Sequence, residues 1–431
     1  MSHVLRIRYF NQHWEGRRML EHKKIVKRKI YDEIYESLNR YQLTIITGPV
    51  GIGKTTLMYY IIDRLIDEGV KPKNILYISL EDDICSIKDA LRYYESEIRM
   101  RKIDGDTEEI FIFIDEIGLD SNWADTIKYY LSIHDKMRFL ASSSIRIEIP
   151  QEIKTKVVEL KPMTFKEYLI ELGHEVSDIE FDKLEIRKKY IEYLDYSAYF
   201  KGYLRKGGYP GLVYIDDDRY IRGWIKNNII DRITYKLIPS LKGKREATLA
   251  EKLLRILAFD TGKPINYNSI AMLMEKDIRT VSNYLEALQT TYMINMVKNK
   301  LGEGRGSRKL PKVYLYTPGY AYSLYPEKFN DDEYIGNLVE GLLATHLNAK
   351  YYWKRGNKEV GILWEKDGLE IPIVIKYVRR LTRREIKKVD TILKKIGSKL
   401  GIIIVKDSLE FVQIGDRNIW IIPAWLFTLM I

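Results

Sequence analysis

Apolar and polar positions follow different rhythms along this chain. From residue 43 to residue 160, short apolar runs rich in β-branched residues separate segments with a helical period. The runs 43–47 (LTIIT), 74–80 (NILYISL), 110–114 (IFIFI), 137–141 (MRFLA) and 157–160 predict buried strands. Between them, 55–68, 84–100 and 123–134 predict helices. A leading helix is expected before the first strand, with Ile25, Ile30, Ile34 and Leu38 along one face. Strands that alternate with helices predict a parallel sheet covered on both sides, so residues 1–160 are expected to form an α/β core.

The rhythm then changes. Residues 161–240 are helical and rich in tyrosine, with a break at Gly207, Gly208, Tyr209, Pro210 and Gly211, and predict a compact helical lid. Its tyrosines Tyr190, Tyr193, Tyr196 and Tyr199 suit base stacking or, better, packing along a helix. In 241–328, three helices are expected at 249–259, 268–274 and 277–291, with Asp277 as a cap for the third. Strand-like 293–297 and 312–316 follow, around a basic loop containing Arg305, Arg308 and Lys309. This is the winged-helix plan, in which the third helix enters the major groove and the wing touches phosphate. Arg279, Ser282 and Asn283 are expected on that helix's exposed face; contact with a protein is the alternative use. Residues 329–431 predict a further α/β block: a helix at 337–347, strands at 351–354, 359–364, 371–377 and 402–405, and a basic helix at 383–395.

Composition narrows the classes. A length of 431 residues suits several domains, and 45% hydrophobic residues suffice for packed cores. A single cysteine, Cys85, excludes a disulfide scaffold, and the six histidines lack metal-ligand spacing. No signal peptide is visible. The longest apolar run, 419–431, is shorter than the ~20 residues a membrane span needs and is interrupted by Pro423. A soluble protein of the reducing cytoplasm, without a membrane partner, is expected. The net charge of +11 is concentrated. Residues 376–400 hold ten Lys/Arg against two acids, and 298–312 hold six against one, which points to a polyanion and first to nucleic acid.

The strongest motif is Gly48-Pro49-Val50-Gly51-Ile52-Gly53-Lys54-Thr55, which satisfies GxxxxGK[ST] between an expected strand and an expected helix. Backbone N–H groups of such a loop wrap phosphate oxygens, and the helix N-terminus, with Thr56 in its first turn, adds its dipole. Lys54 suits the β- and γ-phosphates and Thr55 suits magnesium, so ATP and Mg²⁺ are the expected ligands. The apolar run at 110–114 ends in Asp115 and Glu116. Asp115 is expected in the magnesium shell, and Glu116 is expected to polarise the attacking water. Ser142-Ser143-Ser144 follows the next strand. A hydroxyl there suits the γ-phosphate; Ser142 or Ser143 is the expected group, and Ser143 is assigned the catalytic role.

Taken in order, these motifs resemble the AAA+ ATPase superfamily. The chain more narrowly resembles archaeal and bacterial ATPases that join such a core to a winged helix and a C-terminal domain related to PD-(D/E)XK nucleases. The strings Lys161 to Leu169 (KPMTFKEYL), Gly207 to Pro210 (GGYP), Lys312 to Tyr316 with Pro318-Gly319, and Asn337 to Glu340 (NLVE) carry that likeness. The resemblance implies that Gly208 and Pro210 help frame the nucleotide. It implies a homo-oligomer, up to a hexameric ring, with an arginine from a neighbouring subunit completing the site; Arg138, Arg146 and Arg205 are candidates. The C-terminal block departs from the nuclease pattern. Gly361 and Val374 stand where the family has metal-binding carboxylates, and Lys376, Glu340 and Glu359 remain. Without those carboxylates a divalent metal is not held, so nuclease activity is expected to be absent. Arg383, Arg384, Lys387 and Lys388 still suit electrostatic binding of nucleic acid. The expected function is a Mg-ATP-hydrolysing ATPase coupled to DNA binding or remodelling. The alternative is a nucleotide-controlled switch whose accessory domains bind protein.

Overall fold

The five early apolar runs form strands β1 (Leu43–Thr47), β2 (Ile75–Ser79), β3 (Ile110–Asp115), β4 (Met137–Ser143) and β5 (Thr155–Glu159). All pair in parallel, in the order β2-β3-β4-β1-β5. The structure is a computed structural model that describes residues 3–20, 25–26, 28–81, 86–241, 246–302 and 310–431. The sequence features Lys23, Lys24, Lys27, Cys85 and the basic loop at 303–309 lie outside the described residues. The chain divides into two units, Met1–Lys161 and Pro162–Ile431.

In the first unit the strands are apolar on both faces because helices cover both: β1 and β3 are buried at every position. Ile45, Leu76, Ile112, Ile114, Ile127 and Phe139 lie in one core cluster. Helix Lys54–Asp67 follows β1, helix Ile87–Tyr93 follows β2, and helix Trp123–Ile133 precedes β4. The outer edge of β2 is closed by side chains. Asn11 Nδ2 donates to Tyr77 O at 2.8 Å, and Tyr77 N donates to Asn11 Oδ1 at 2.7 Å. Trp14 Nε1 donates to Ile75 O at 2.8 Å, and His13 Nε2 lies 3.1 Å from the same oxygen. The segment formed by helix His3–Phe10 and turn Gln12–Glu15 thus satisfies an edge that would otherwise invite a foreign strand.

The second unit begins with helices Phe165–Glu171, Lys183–Glu192, Ser197–Lys206 and Asp218–Ile225. Thr164 and Glu167 form a reciprocal capping box for the first of them. Of the tyrosines singled out above, Tyr190 stacks on Trp425 at 5.8 Å and Tyr193 on Tyr196 at 5.2 Å, so protein rings already occupy those faces. Helices Ala247–Phe259, Tyr267–Met274 and Ile278–Thr290 follow, the third capped by Asp277, which accepts from Thr280 N at 2.8 Å. Strands β6 (Ile294–Asn299) and β7 (Lys312–Leu315) then form an antiparallel pair.

The remaining strands are β8 (Tyr351–Arg355), β9 (Lys358–Lys366), β10 (Leu369–Ile375), β11 (Leu400–Val405), β12 (Glu410–Ile414) and β13 (Arg417–Pro423). They continue the same sheet, in the order β12-β13-β11-β10-β9-β8-β6-β7. The join is short: Lys298 and Asn299 pair in parallel with Tyr351 and Tyr352. Strands β12 and β13 were not expected from the pattern. The apolar run at 419–431 is most of β13, which lies between β11 and β12, followed by a short helix, Ala424–Phe427. Its hydrophobicity is core packing. Among the described residues, no helix is long and apolar enough to cross a membrane.

Candidate active site

Strand β1 delivers the chain into the loop at Gly48, where Gly48 N donates to Ser143 O at 3.2 Å. Gly48 has φ +146°, and a Cβ there would stand 2.3 Å from Leu160 O, so only glycine fits the turn. Pro49, Val50, Gly51 and Ile52 carry the loop to Gly53, the N-cap of helix Lys54–Asp67. No side chain caps that helix, so its first-turn N–H groups face the loop interior, the arrangement that receives phosphate.

Lys54 is buried, and its Nζ donates to Gly48 O and Pro49 O, each at 2.9 Å, and to Ser144 Oγ at 2.7 Å. The ammonium is therefore held over the loop rather than extended into solvent. Thr55 Oγ1 donates to Asp115 Oδ2 at 2.7 Å, which brings together two motif residues 60 positions apart. Tyr77 OH donates to the same oxygen at 2.9 Å, and Ser142 Oγ donates to Asp115 Oδ1. Thr55 and Asp115 supply hard oxygen donors side by side, the donor chemistry that magnesium takes.

Glu116 follows directly, with φ 60° and ψ 47°. This left-handed conformation is costly for a residue with a Cβ and is held by its neighbours. Glu116 N donates to Ser142 Oγ at 3.0 Å, Ser144 N donates to Glu116 Oε2 at 2.7 Å, and Ser144 Oγ donates to Glu116 Oε1. Lys54 Nζ lies 3.8 Å from Glu116 Oε1, with both groups buried. Burial pushes the Glu116 carboxyl above its ordinary range; Lys54 opposes that, and the adjacent Asp115 reinforces it. A buried carboxylate with a raised pKa is suited to accepting a proton from water.

Of the three serines, the structure brings Ser142 to Asp115 and Ser144 to Glu116 and Lys54. Ser143 Oγ instead donates to Ile145 O at 2.7 Å, away from the carboxylates. The two-residue period of β4 turns Ser142 and Ser143 to opposite faces, and Ser144 follows just past the end of the strand. Two residues of this cluster were missed in the sequence: Tyr77, which lies in an apolar run with no polar signal, and Ser144, which shared the serine triplet. Gly208 and Pro210 belong to the second unit. There Met163 N donates to Gly208 O at 2.9 Å, and Pro210 opens a short turn, Pro210–Leu212. Of the candidate arginines, Arg138 donates to Asp135 O at 2.9 Å, and Arg205 lies 3.4 Å from Asp218.

In the C-terminal block, a Cβ on Gly361 would stand 2.3 Å from Glu340 Cδ. That carboxylate accepts from Lys312 Nζ and from Tyr314 OH, each at 2.6 Å. Lys312 also pairs with Glu359 at 2.5 Å, and Glu359 pairs with Lys354 at 2.6 Å. An ammonium thus sits between the two acids of this pocket. Lys376, Arg383, Arg384, Lys387 and Lys388 are all exposed. Helix Arg383–Ile396 buries Ile386, Val389, Ile392 and Leu393 on its opposite face. Arg279, Ser282 and Asn283 are exposed on helix Ile278–Thr290, beside the exposed apolar residues Met272, Leu273 and Ile278.

A family model described as AAA domain matches residues 40–169, and one described as domain of unknown function (DUF8612) matches 197–331. Residues 40–169 are an AAA-type ATPase domain. An uncharacterized protein of Methanocaldococcus jannaschii, MJ1241, is 36% identical over 69 residues, 16% of this chain and 93% of that protein. The chain belongs to one family with that protein, whose name states no activity. An uncharacterized protein of Haemophilus influenzae is 23% identical over 284 residues, 63% of this chain; the chain spans 66% of that relative. Among solved structures, the Walker-type ATPase of Pyrococcus abyssi has a TM-score of 0.41 at 13% identity, covering 72% of this chain and 99% of that one. A signal-transduction ATPase with a tetratricopeptide repeat sensor from Pyrococcus horikoshii has a TM-score of 0.31 at 17% identity, covering 74% of this chain and 45% of that one.

Proposed function

We propose that this AAA-domain ATPase binds Mg-ATP on the loop from Gly48 to Thr55, hydrolyses it with Glu116, and couples the cycle to DNA. The observation that carries the reading is the joined cluster at the strand ends. Thr55 is bonded to Asp115, and Ser144 bridges Lys54 and Glu116. In this reading phosphate oxygens replace the loop carbonyls on Lys54 Nζ, and loop amides take the remaining phosphate oxygens. Thr55 and Asp115 hold magnesium, which supplies charge neutralisation on the phosphates. Glu116 orients a water and takes its proton. Ser144 keeps the base and the phosphate-binding lysine in register. A homo-oligomer supplies a neighbour's arginine.

The accessory regions are assigned as a helical lid at 161–240, a winged helix at 241–328 and a degenerate nuclease-like domain at 329–431. The exposed cations of helix Arg383–Ile396 and the exposed Arg279 support DNA as the partner. The second reading, a nucleotide switch that docks on protein, is favoured by exposed Met272, Leu273 and Ile278 beside Arg279. Nucleotide binding and hydrolysis by the wild type, Lys54→Ala and Glu116→Gln test the chemistry. Lys54→Ala is expected to lose binding, and Glu116→Gln to bind without turnover.

A further inference from the structure

Asp115 is surrounded by hydroxyls, and one of them comes from a residue outside every nucleotide-binding motif. Tyr77 lies in β2, paired in register with Phe113 of β3, and its hydroxyl reaches Asp115 Oδ2 at 2.9 Å. That oxygen also receives the Thr55 hydroxyl, while Ser142 holds Oδ1. The carboxylate is thus fixed on both oxygens, with one donor from the nucleotide loop and two from neighbouring strands.

Tyr77 is itself held firmly. Its ring lies 5.1 Å from that of Tyr59, on the helix that follows the nucleotide loop. Its peptide group is clamped in both directions by the Asn11 side chain, at 2.8 and 2.7 Å. Asn11 is almost fully buried, and its amide also donates to Ile7 O at 2.8 Å, within the N-terminal helix. A continuous chain of short contacts therefore runs from helix His3–Phe10 through Asn11 and Tyr77 to Asp115. The phenol is buried.

We propose that Tyr77 is a positioning residue for magnesium: it aims the Asp115 carboxylate, and the N-terminal segment sets its position through Asn11. This rests on the Mg-ATP reading above. A group that orients a metal-shell carboxylate typically changes metal affinity by about 10–100-fold when removed. It leaves phosphate contacts made by the loop and Lys54 intact. The N-terminal segment then does more than cover a sheet edge: whatever shifts it shifts the metal site.

The test is calorimetric binding of ATP to the full chain, with EDTA or with magnesium titrated from micromolar to millimolar. Wild type, Tyr77→Phe and Asn11→Ala are compared. Tyr77→Phe removes one oxygen and retains the ring packing against Tyr59. The expected result is unchanged affinity in EDTA and a magnesium half-saturation raised about tenfold or more. Asn11→Ala is expected to shift it in the same direction by less, and Tyr77→Phe carries the test if that variant fails to fold. A half-saturation in Tyr77→Phe equal to that of wild type overturns the proposal, as does an equal loss of affinity with and without magnesium. If wild-type affinity ignores magnesium altogether, the Mg-ATP reading falls and takes the proposal with it.

Discussion

The carboxylate of Glu340 occupies the space that a side chain at Gly361 would need: a Cβ there would stand 2.3 Å from Glu340 Cδ. Glu340 fills the space beside Gly361, and Lys312 supplies the positive charge there. Gly361→Asp is therefore expected to destabilise the fold by about 1–3 kcal/mol through overpacking, measured by urea unfolding, and to create no cleavage of plasmid DNA. Unchanged stability, or magnesium-dependent cleavage by the wild type that Lys376→Ala abolishes, contradicts this view of the pocket.

Lys312 balances two acids in a site where its own side chain is 4% exposed. Burial works against the ammonium, but Glu340 and Glu359 outweigh it and hold Lys312 above its ordinary 10.5. Burial also works against Glu359, and Lys312 and Lys354 outweigh it and hold that carboxyl below 4.5. The raised lysine contributes stability below pH 10.5 and loses it as pH rises through its folded value. The lowered acid contributes above pH 4.5 and loses it as pH falls through its folded value. Lys312→Met leaves the buried Glu340 without its cation and Glu359 with Lys354 alone, and is expected to cost about 3–5 kcal/mol at neutral pH. Chemical unfolding at several pH values should show that deficit shrinking toward acid; a deficit independent of pH would place the cost in packing instead.

Glu116 must be ionised to take a proton, and burial places its carboxyl above the ordinary 4.5. Hydrolysis should accordingly fall on acidification at a pH higher than 4.5. Steady-state rates across pH, with nucleotide binding followed in parallel, check the sign. Glu116→Gln should keep ATP bound, lose turnover by about 100-fold or more, and show no such pH dependence in what remains. Turnover at the wild-type rate would remove Glu116 from the mechanism.

Helix Arg383–Ile396 presents Arg383, Lys387 and Lys394 along one line and Arg384, Lys388 and Lys395 along the next, all exposed. Charge reversal of Lys387 and Lys388 to Glu should weaken duplex binding alike for unrelated sequences. It should also flatten the dependence of log affinity on log salt by about 2, as expected for two lost phosphate contacts. Fluorescence anisotropy over a salt series measures both. An unaltered slope would show that DNA, if bound, lies elsewhere.

The core was legible because its signals are local. Each strand of the first sheet announced itself as an apolar run, and the loop from Gly48 to Thr55 as a string of glycines before a lysine. Asp115 and Glu116 were legible as charges at the end of such a run. Tyr77 was not, because a tyrosine inside a strand reads as packing, and its use depends on a partner 38 positions away. The choice between Ser142 and Ser143 was set by the pleat of β4, whose phase the sequence does not display, and Ser144 lies just past the strand end. Strand β13 was hidden for a different reason. A run buried on both faces has no alternation, and 419–431 shows only as an apolar run too short to span a membrane. The Glu340–Lys312 pair, 28 positions apart, joins a helix to β7 and depends on tertiary packing alone.

In the proposed reading, ATP is turned over at Lys54, Asp115 and Glu116, and DNA sets the rate. The most direct measurement is ATP hydrolysis by the wild type with no DNA, with single-stranded DNA and with duplex, at low and high salt, using Lys54→Ala as the blank. Turnover is expected to be absent from Lys54→Ala and, in the wild type, to be stimulated by DNA at low salt, with the stimulation fading as salt rises. A wild-type rate indifferent to DNA at both salt concentrations would contradict the coupling and leave the protein-docking switch as the reading.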